Sequence, residues 1–306
     1  MTLQQLNYVI VISETGSMNK AAELLYIAQP SLTSAVKELE KEIGIIIFNR
    51  SGRGVTLTAD GEEFLSYARQ VYQQYEAMRD RYTGGNIRKK FGISTQHYSF
   101  AVEAFVDMVK EYGTAEYDLA IRETKTAEVI EDVKNMKSEI GVLYLSDFNR
   151  QIMTKLFQVN HLEFHSLIKC RPCVYIWNEH PLAEKKSVSM AELADYPCLT
   201  FEQGDKSSFY YAEEIFSVGD LSRVIHACDR STMLNLMKGL NGYTFCSGII
   251  CGKLNGPEYV ALPIEGENDL MEIGYVTLKS AVPTELGLAY AEKLKEQLDA
   301  AQLSLI

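Results

Sequence analysis

Residues 19–44 read NKAAELLYIAQPSLTSAVKELEKEIG. The helical pattern breaks at Ile27-Ala28-Gln29-Pro30 and restarts at once. Pro30 lacks an amide hydrogen and suits the first turn of a new helix, where that donor would have no partner anyway. Gly44 closes the new helix as a C-cap. At about 100° per residue, Leu32, Ala35, Val36 and Leu39 fall on one side, which must be buried. Pro30, Thr33, Ser34 and Lys37 fall on the opposite side, with Gln29 and Ser31 beside them. That outward face is polar and cationic, and it begins at a helix N-terminus, which favours phosphate. The second helix of a helix-turn-helix lays such a face in the major groove. A merely solvated face is the alternative that this pattern alone leaves open.

The flanking sequence narrows the choice. Leu3, Leu6, Val9 and Ile10 form a helical stripe that Gly16 ends, and Ser17 is an N-cap for a short helix carrying Met18, Ala21, Ala22 and Leu25. The small Ala21-Ala22 pair lets another helix approach closely. After Gly44, Ile45 to Phe48 and NRSGRGVTLT describe a small hairpin, a wing with Arg50 and Arg53 at its turn, where guanidinium groups suit backbone phosphates. From Ala59 to Gly84-Gly85 the pattern is again helical. Phe64, Ala68, Val71, Tyr75, Met78 and Tyr82 recur at the alternating four-three spacing of a heptad seam, which suits a dimerising helix.

Residues 3–80 resemble the winged helix-turn-helix of LysR-type transcriptional regulators, through GSMNKAAELLYIAQPSLTSAVKELEKEIG and FNRSGRGVTLTADGEEFL. The resemblance implies that Gln29, Pro30, Ser31, Thr33, Ser34 and Lys37 face DNA and that Arg50 and Arg53 hold its backbone. It also implies that the long helix dimerises and spaces two recognition helices. Family members often carry a long Arg or Gln where this chain has Ser34 and Ala35, so direct base reading is expected to be thinner here.

After TGGNIRKK the character changes to alternating strands and helices. Strands are expected at 91–94, 118–123 and 140–145, with helices at 98–112 and 126–137. A second unit begins near Leu162, with an internal helix at 208–216, a strand at 224–227 and a helix at 231–239. The chain then returns through a strand at 272–278 and a helix at 283–298. This is an α/β pattern with a mostly parallel sheet. The expected fold is thus an N-terminal winged helix-turn-helix plus a long linker helix, then a two-lobed, periplasmic-binding-protein-like α/β effector domain. The boundaries expected are 1–58 for the winged domain, 59–84 for the linker helix and 85–90 for a hinge. Lobe 1 takes 91–161 and 269–306, and lobe 2 takes 162–268. HPLAEKKSVSMAELADYP and YVTLKSAVPTELGLAYAEKL carry a looser resemblance to the effector domain of the same family.

In such a cleft, ligands are gripped at strand ends and helix N-termini. Ser94, Thr95, Gln96 and His97 follow the first strand; Thr200 and Phe201 end a strand of the second lobe; Ser231 and Thr232 open a helix. Hydroxyls at helix starts suit a small organic or aromatic acid, and each is equally placed as a plain helix cap. The partners implied are double-stranded DNA, a small-molecule effector, further copies of the chain as a homodimer or homotetramer, and RNA polymerase, with no membrane.

Composition bounds the alternatives. The chain has 306 residues, 46% of them hydrophobic and 23% charged, and a net charge of −11. Residues 1–60 carry five basic and six acidic side chains, so most of the negative charge lies beyond the segment expected to meet DNA. No leader peptide or apolar run of membrane-spanning length is evident, so a cytoplasmic protein is expected. Cys170-Arg171-Pro172-Cys173 is a CxxC without a second half, so no metal and no cofactor is expected. Inert thiols are favoured over a redox-sensing pair, which stays open as an alternative. Cys198, Cys228, Cys246 and Cys251 sit in apolar company and are expected in the core. No Walker, GxGxxG, GxSxG or HExxH motif occurs, so an enzyme is not expected. A dimeric solute-binding module without a transcriptional role is the remaining alternative.

Overall fold

In the computed structural model the chain divides into two compact units, Met1–Ile87 and Arg88–Ile306. The structure describes residues 1–51, 54–83, 89–112, 116–204, 209–215, 221–251, 254, 257–266 and 269–304. The proposed hinge at 85–90 lies outside them except for Lys89 and Lys90.

In the first unit, α1 (Leu3–Thr15) opens on a capping box between Thr2 and Gln5 and ends at Gly16. Then α2 (Met18–Leu24) starts from Ser17, whose side chain accepts from the Lys20 amide. Next, α3 (Gln29–Ile43) ends at Gly44, whose φ of 77° lies in the left-handed region that glycine enters freely. Val9, Ile12, Ala21, Ala22, Leu32, Val36 and Leu39 close over one another with 3% exposure or less. Each large aliphatic side chain in that set contributes roughly 1.5–3 kcal/mol by leaving water. The wing pairs β1 (Phe48–Ser51) with β2 (Gly54–Leu57), antiparallel with Arg50 opposite Val55. The Val55 amide donates to Gly16 O at 3.0 Å, pinning the wing to the α1–α2 turn. The unit ends in α4 (Ala59–Thr83), which packs along α1.

The second unit runs β3 (Lys89–Thr95), α5 (Ser99–Tyr112), β4 (Tyr117–Glu123), α6 (Thr126–Lys134), β5 (Ile140–Leu145), α7 (Arg150–Val159) and β6 (Leu162–Cys170). It continues with β7 (Cys173–Trp177), α8 (Met190–Leu193), β8 (Cys198–Phe201), β9 (Val224–Ala227), α9 (Arg230–Leu240), β10 (Thr244–Cys246), β11 (Tyr259–Pro263), β12 (Met271–Leu278) and α10 (Glu285–Ser304). One lobe is a five-stranded sheet of order β4-β3-β5-β12-β6. Its core is contributed by α5 and α10 through Phe100, Met108, Tyr290 and Leu294, and by α6 and α7 through Val129, Val133, Met153 and Phe157. The other lobe holds the sheet β10-β7-β11 and the parallel pair β8-β9.

Several expectations are corrected. The large sheet is mixed, because β12 returns antiparallel to both β5 and β6. Since β6 pairs with β12, residues 162–170 belong to lobe 1, and the first crossing falls at Arg171-Pro172 rather than at 161–162. Pairing partners far apart in sequence decide this, and local pattern does not reveal them. The helix beginning at Thr126 stops at Lys134; Met136 takes a φ of 56°, which no helix continues. The helix expected at 208–216 is a 3-10 turn at Phe209–Tyr211 followed by bends, with Ser208 and Phe216 outside the described residues. Helix α7 was not anticipated.

Candidate functional site

On α3 the buried and exposed faces separate as the wheel predicts. Leu32, Val36 and Leu39 are buried, while Pro30, Ser31, Ser34 and Lys37 are exposed. Gln29 and Thr33 are half-buried and bonded to each other, Gln29 Nε2 donating to Thr33 Oγ1 at 2.7 Å. The helix starts from Ala28, which makes no side-chain cap; Pro30 has no amide hydrogen, and the Ser31 amide donates to Ala28 O at 3.0 Å. Just before it, Tyr26 is 96% exposed at a φ of 54°. The sequence reading did not single it out, because an aromatic at a helix end reads as core.

The wing is held by Glu40. Its Oε1 accepts from the Ile47 and Phe48 amides at 2.9 and 3.1 Å, and its Oε2 lies 3.6 Å from Arg50 Nη2. One carboxylate of α3 thereby fixes the strand that carries Arg50. Arg53 lies outside the described residues.

In the second unit a cavity of about 80 Å³ opens between the lobes, room for several waters or a small organic molecule. Its walls are His97, Tyr98 and Ser99 after β3, Tyr175 of β7, Phe201 of β8, and the adjacent Glu213 and Glu214. Arg230, Met233, Leu234 and Met237 of α9, Thr244, Phe245 and Cys246 of β10, then Ser247, Ile249, Ile250 and Met271 complete them. The His97 ring stacks on Phe201, centroids 3.7 Å apart and planes within 3°. Glu213 accepts from the His97 amide and from Gln203 Nε2, each at 2.9 Å. Thr126 Oγ1 donates to Tyr211 O and Tyr144 OH to Ala212 O, at 2.8 and 3.2 Å, so segment 209–215 is laced to lobe 1.

Of the eight ligand residues expected, His97 and Phe201 reach the cavity. Ser94, Thr95, Gln96 and Thr200 do not line it; they are buried behind it, at 3% exposure or less. Ser94 Oγ donates to Asp132 Oδ2, Gln96 Nε2 to Thr126 Oγ1, and Thr200 Oγ1 pairs with His226 Nδ1. Ser94 and Gln96 are spent on internal bonds, the buried Thr95 hydroxyl has no partner among the described residues, and the tight turn closed by Tyr98 N on Gln96 O delivers the next residues, 97–99, to the wall. Ser231 and Thr232 are exposed and off the cavity. Asp229 caps α9 instead, taking both the amide and the hydroxyl of Thr232 at 2.8 Å. Sequence reasoning missed Glu213, Glu214, Arg230 and Thr244. A pair of adjacent acids inside an apolar stretch was the signal available for the first two.

The electrostatics of the wall are uneven. Burial, and then the neighbouring Glu213, push the Glu214 carboxyl up to about 8, although the Phe201 amide donates to it at 2.9 Å. Burial also raises Glu123, which the Arg230 guanidinium beside it partly offsets. Among the described residues no cluster of His, Cys, Asp and Glu is placed to hold a metal ion.

The model of the bacterial regulatory helix-turn-helix protein, lysR family, matches residues 3–62, and that of the LysR substrate binding domain matches residues 115–299. The chain belongs to the LysR-type transcriptional regulators. AlsR of Bacillus subtilis is 28% identical over 207 residues, 65% of this chain and 64% of AlsR. The chain thus spans just under two thirds of that relative. CysL of Bacillus subtilis is 27% identical over 69% of this chain and 68% of its own. A full-length OxyR variant from Pseudomonas aeruginosa has the same fold, with a TM-score of 0.64 at 18% identity, covering 97% of this chain and 94% of that one.

In this LysR-type regulator the stripe along α4 divides in two. Phe64 and Ala68 pack into their own unit, Ala68 at 2% exposure, so Ala68 leaves the expected seam. Val71 and Met78 are 50% and 56% exposed, as is half of Tyr67. Tyr75 is half-buried beside Tyr72, and the Tyr82 side chain lies outside the described residues.

None of the six cysteines is in a disulfide. Burial pushes the Cys170 thiol up to about 12 and raises Cys173 and Cys246, which face each other across β7 and β10. A thiol held protonated is a poor nucleophile, which weakens the redox reading of the CxxC. Cys228 departs from the core placement expected of it. It is exposed in the turn before α9, its thiol directed at Glu202 3.0 Å away.

Proposed function

We propose that this regulator binds double-stranded DNA through α3 and the β1–β2 wing, as a homodimer or homotetramer joined through α4, and that a small molecule in the inter-lobe cavity adjusts that binding. The observation that carries the reading is the division of α3: three aliphatic side chains anchor one face, while Ser31, Ser34 and Lys37 stand free on the other. A scaffold helix has no need of a polar, cationic face beginning at its N-terminus. Backbone phosphate near the positive end of the helix and at Lys37, and base edges along the face, account for it. Control of transcription would then pass to RNA polymerase at the bound promoter.

The small organic acid expected as effector fits the cavity poorly, since the Glu213 carboxylate and the buried Glu214 carboxyl already stand in the wall. The reading is a regulator rather than an enzyme, because the relatives that the chain is similar to are transcriptional regulators. Electrophoretic mobility shift with the DNA upstream of its own gene tests it. Retarded, competitor-resistant complexes are expected, and equal binding to scrambled DNA would sink the assignment.

A further inference from the structure

We propose that the inter-lobe cavity is built for a small organic ammonium compound, its charged nitrogen at the Glu213–Glu214 wall and a hydrogen-bond acceptor facing Thr244 and Arg230. This rests on the reading of the cavity as a ligand site, and names the chemistry of its occupant.

Three observations converge. The first is charge. Among the described wall residues, Glu213 and Glu214 stand side by side, Glu213 is bonded to the His97 ring and amide, and the guanidinium of Arg230 is already paired with Glu123. An incoming anion would meet the Glu213 carboxylate and the buried Glu214 carboxyl before it met an unengaged cation. Glu214 is faced by Glu213 next to it, by Tyr98 after β3, by Tyr144 of β5 and by Cys198 of β8, none of which is a cation.

The second is a pair of unused donors. Thr244 is 5% exposed and lines the cavity, and its Oγ1 has no partner among the described residues. The Nε of Arg230, also in the wall, is buried and unpartnered. A buried polar atom without a partner costs stability, so two of them around one cavity mark an acceptor that arrives with the ligand. The third is the body of the cavity. Aromatic faces and thioethers, with Phe201, Tyr175, Met233 and Met237 foremost, surround the polar groups. Such walls hold an apolar group and attract a neighbouring cation through the ring faces.

Binding then moves one proton. Glu214 holds a proton up to about pH 8 in the free protein. The arriving ammonium favours the carboxylate, so the carboxyl proton leaves to solvent as the ion pair forms, and charge balances. Affinity for an amine should rise by about tenfold per pH unit below that value and level off above it.

The test uses the full chain and two series of probes that share one body and differ in head group: phenethylamine, hydrocinnamate and hydrocinnamamide, then butylamine, valerate and valeramide. Thermal shift and titration calorimetry are read for each. The amines alone should stabilise the protein, with release of a proton near neutral pH, measured from the heats in two buffers. Glu214→Gln, a neutral isostere of the protonated carboxyl, should melt no lower than the free wild-type protein and lose both the amine response and its pH dependence. Stabilisation by the acids and not the amines would overturn the ligand class while leaving the cavity a ligand site. An amine response unchanged in Glu214→Gln would overturn the assignment of the wall. Silence from all six probes would overturn the cavity as a ligand site as well, leaving DNA binding to stand on its own assay.

Discussion

The Nδ1 atom of His97 lies 3.0 and 2.9 Å from the two carboxylate oxygens of Glu213, although 116 residues separate them in sequence. The His97 amide donates to the same carboxylate, so the loop after β3 and the segment at 209–215 are tied at two points. This contact joins the two lobes at the mouth of the cavity.

Removing it should loosen the second unit. Glu213→Ala leaves the buried His97 amide without its acceptor, and hydrogen bonds to charged groups are worth about 1.5–3 kcal/mol each. We expect a loss of about 2–4 kcal/mol in urea unfolding and faster hydrogen exchange at 97–99. An unchanged exchange pattern would show that the tie is dispensable.

The missing cap of α3 invites a gain. Ala28→Ser supplies a hydroxyl for the Ser31 amide, and such caps are worth about 0.5–2 kcal/mol. Slower hydrogen exchange in the first turn of α3, with a higher melting temperature, is the expected result. A loss of stability would mean that the chain before α3 cannot place the hydroxyl.

On DNA, the two parts of the interface should behave differently. Lys37→Ala, as a phosphate contact, should weaken all sequences alike and reduce the salt slope of a dimer by about two. Thr33→Ala should relax discrimination at one base position, by roughly 1–3 kcal/mol, and Arg53→Ala should resemble Lys37→Ala. Equal loss on operator and random DNA for Thr33→Ala would remove α3 as the reading helix.

Along α4 the split stripe yields opposed outcomes. Val71→Glu or Met78→Glu should dissociate the oligomer in sedimentation while the first unit stays folded, because a charge in a buried seam is strongly unfavourable. Ala68→Leu should instead destabilise the unit itself, since it overpacks a filled site by about 1–3 kcal/mol. An oligomer indifferent to both charges would place assembly elsewhere.

Glu214 sets a pH dependence of stability. Its folded pKa, about 8, lies above the ordinary 4.5, so the folded state binds this proton more tightly than the unfolded state. The associated stability is present in full below about 4.5 and is lost as pH rises through about 8. The melting temperature of the wild type should therefore fall across that window, and Glu214→Gln should flatten the fall. Parallel curves for the two proteins would show that the carboxyl is solvated.

What the sequence alone determined lies mostly within short range. Pro30, Gly44, Ser17 and the four-residue break are local signals, and hydrogen bonds within a few residues enforce them. The helix-turn-helix, the wing and the long helix were therefore legible. So was the alternation of strands and helices, down to β5 within a residue.

The tertiary structure alone decided which strand ends meet. Leu162 to Cys170 joins lobe 1 because β12 returns to pair with it, and no residue within that stretch records the event. Ser94, Thr95 and Gln96 look like ligand groups in sequence, yet their polar atoms were turned toward Asp132 and Thr126 or enclosed. Glu213, Arg230 and Thr244 were brought to one cavity from three separate stretches of chain. A helix is specified by neighbours a turn away, whereas a cavity is specified by whichever surfaces remain after distant elements have packed.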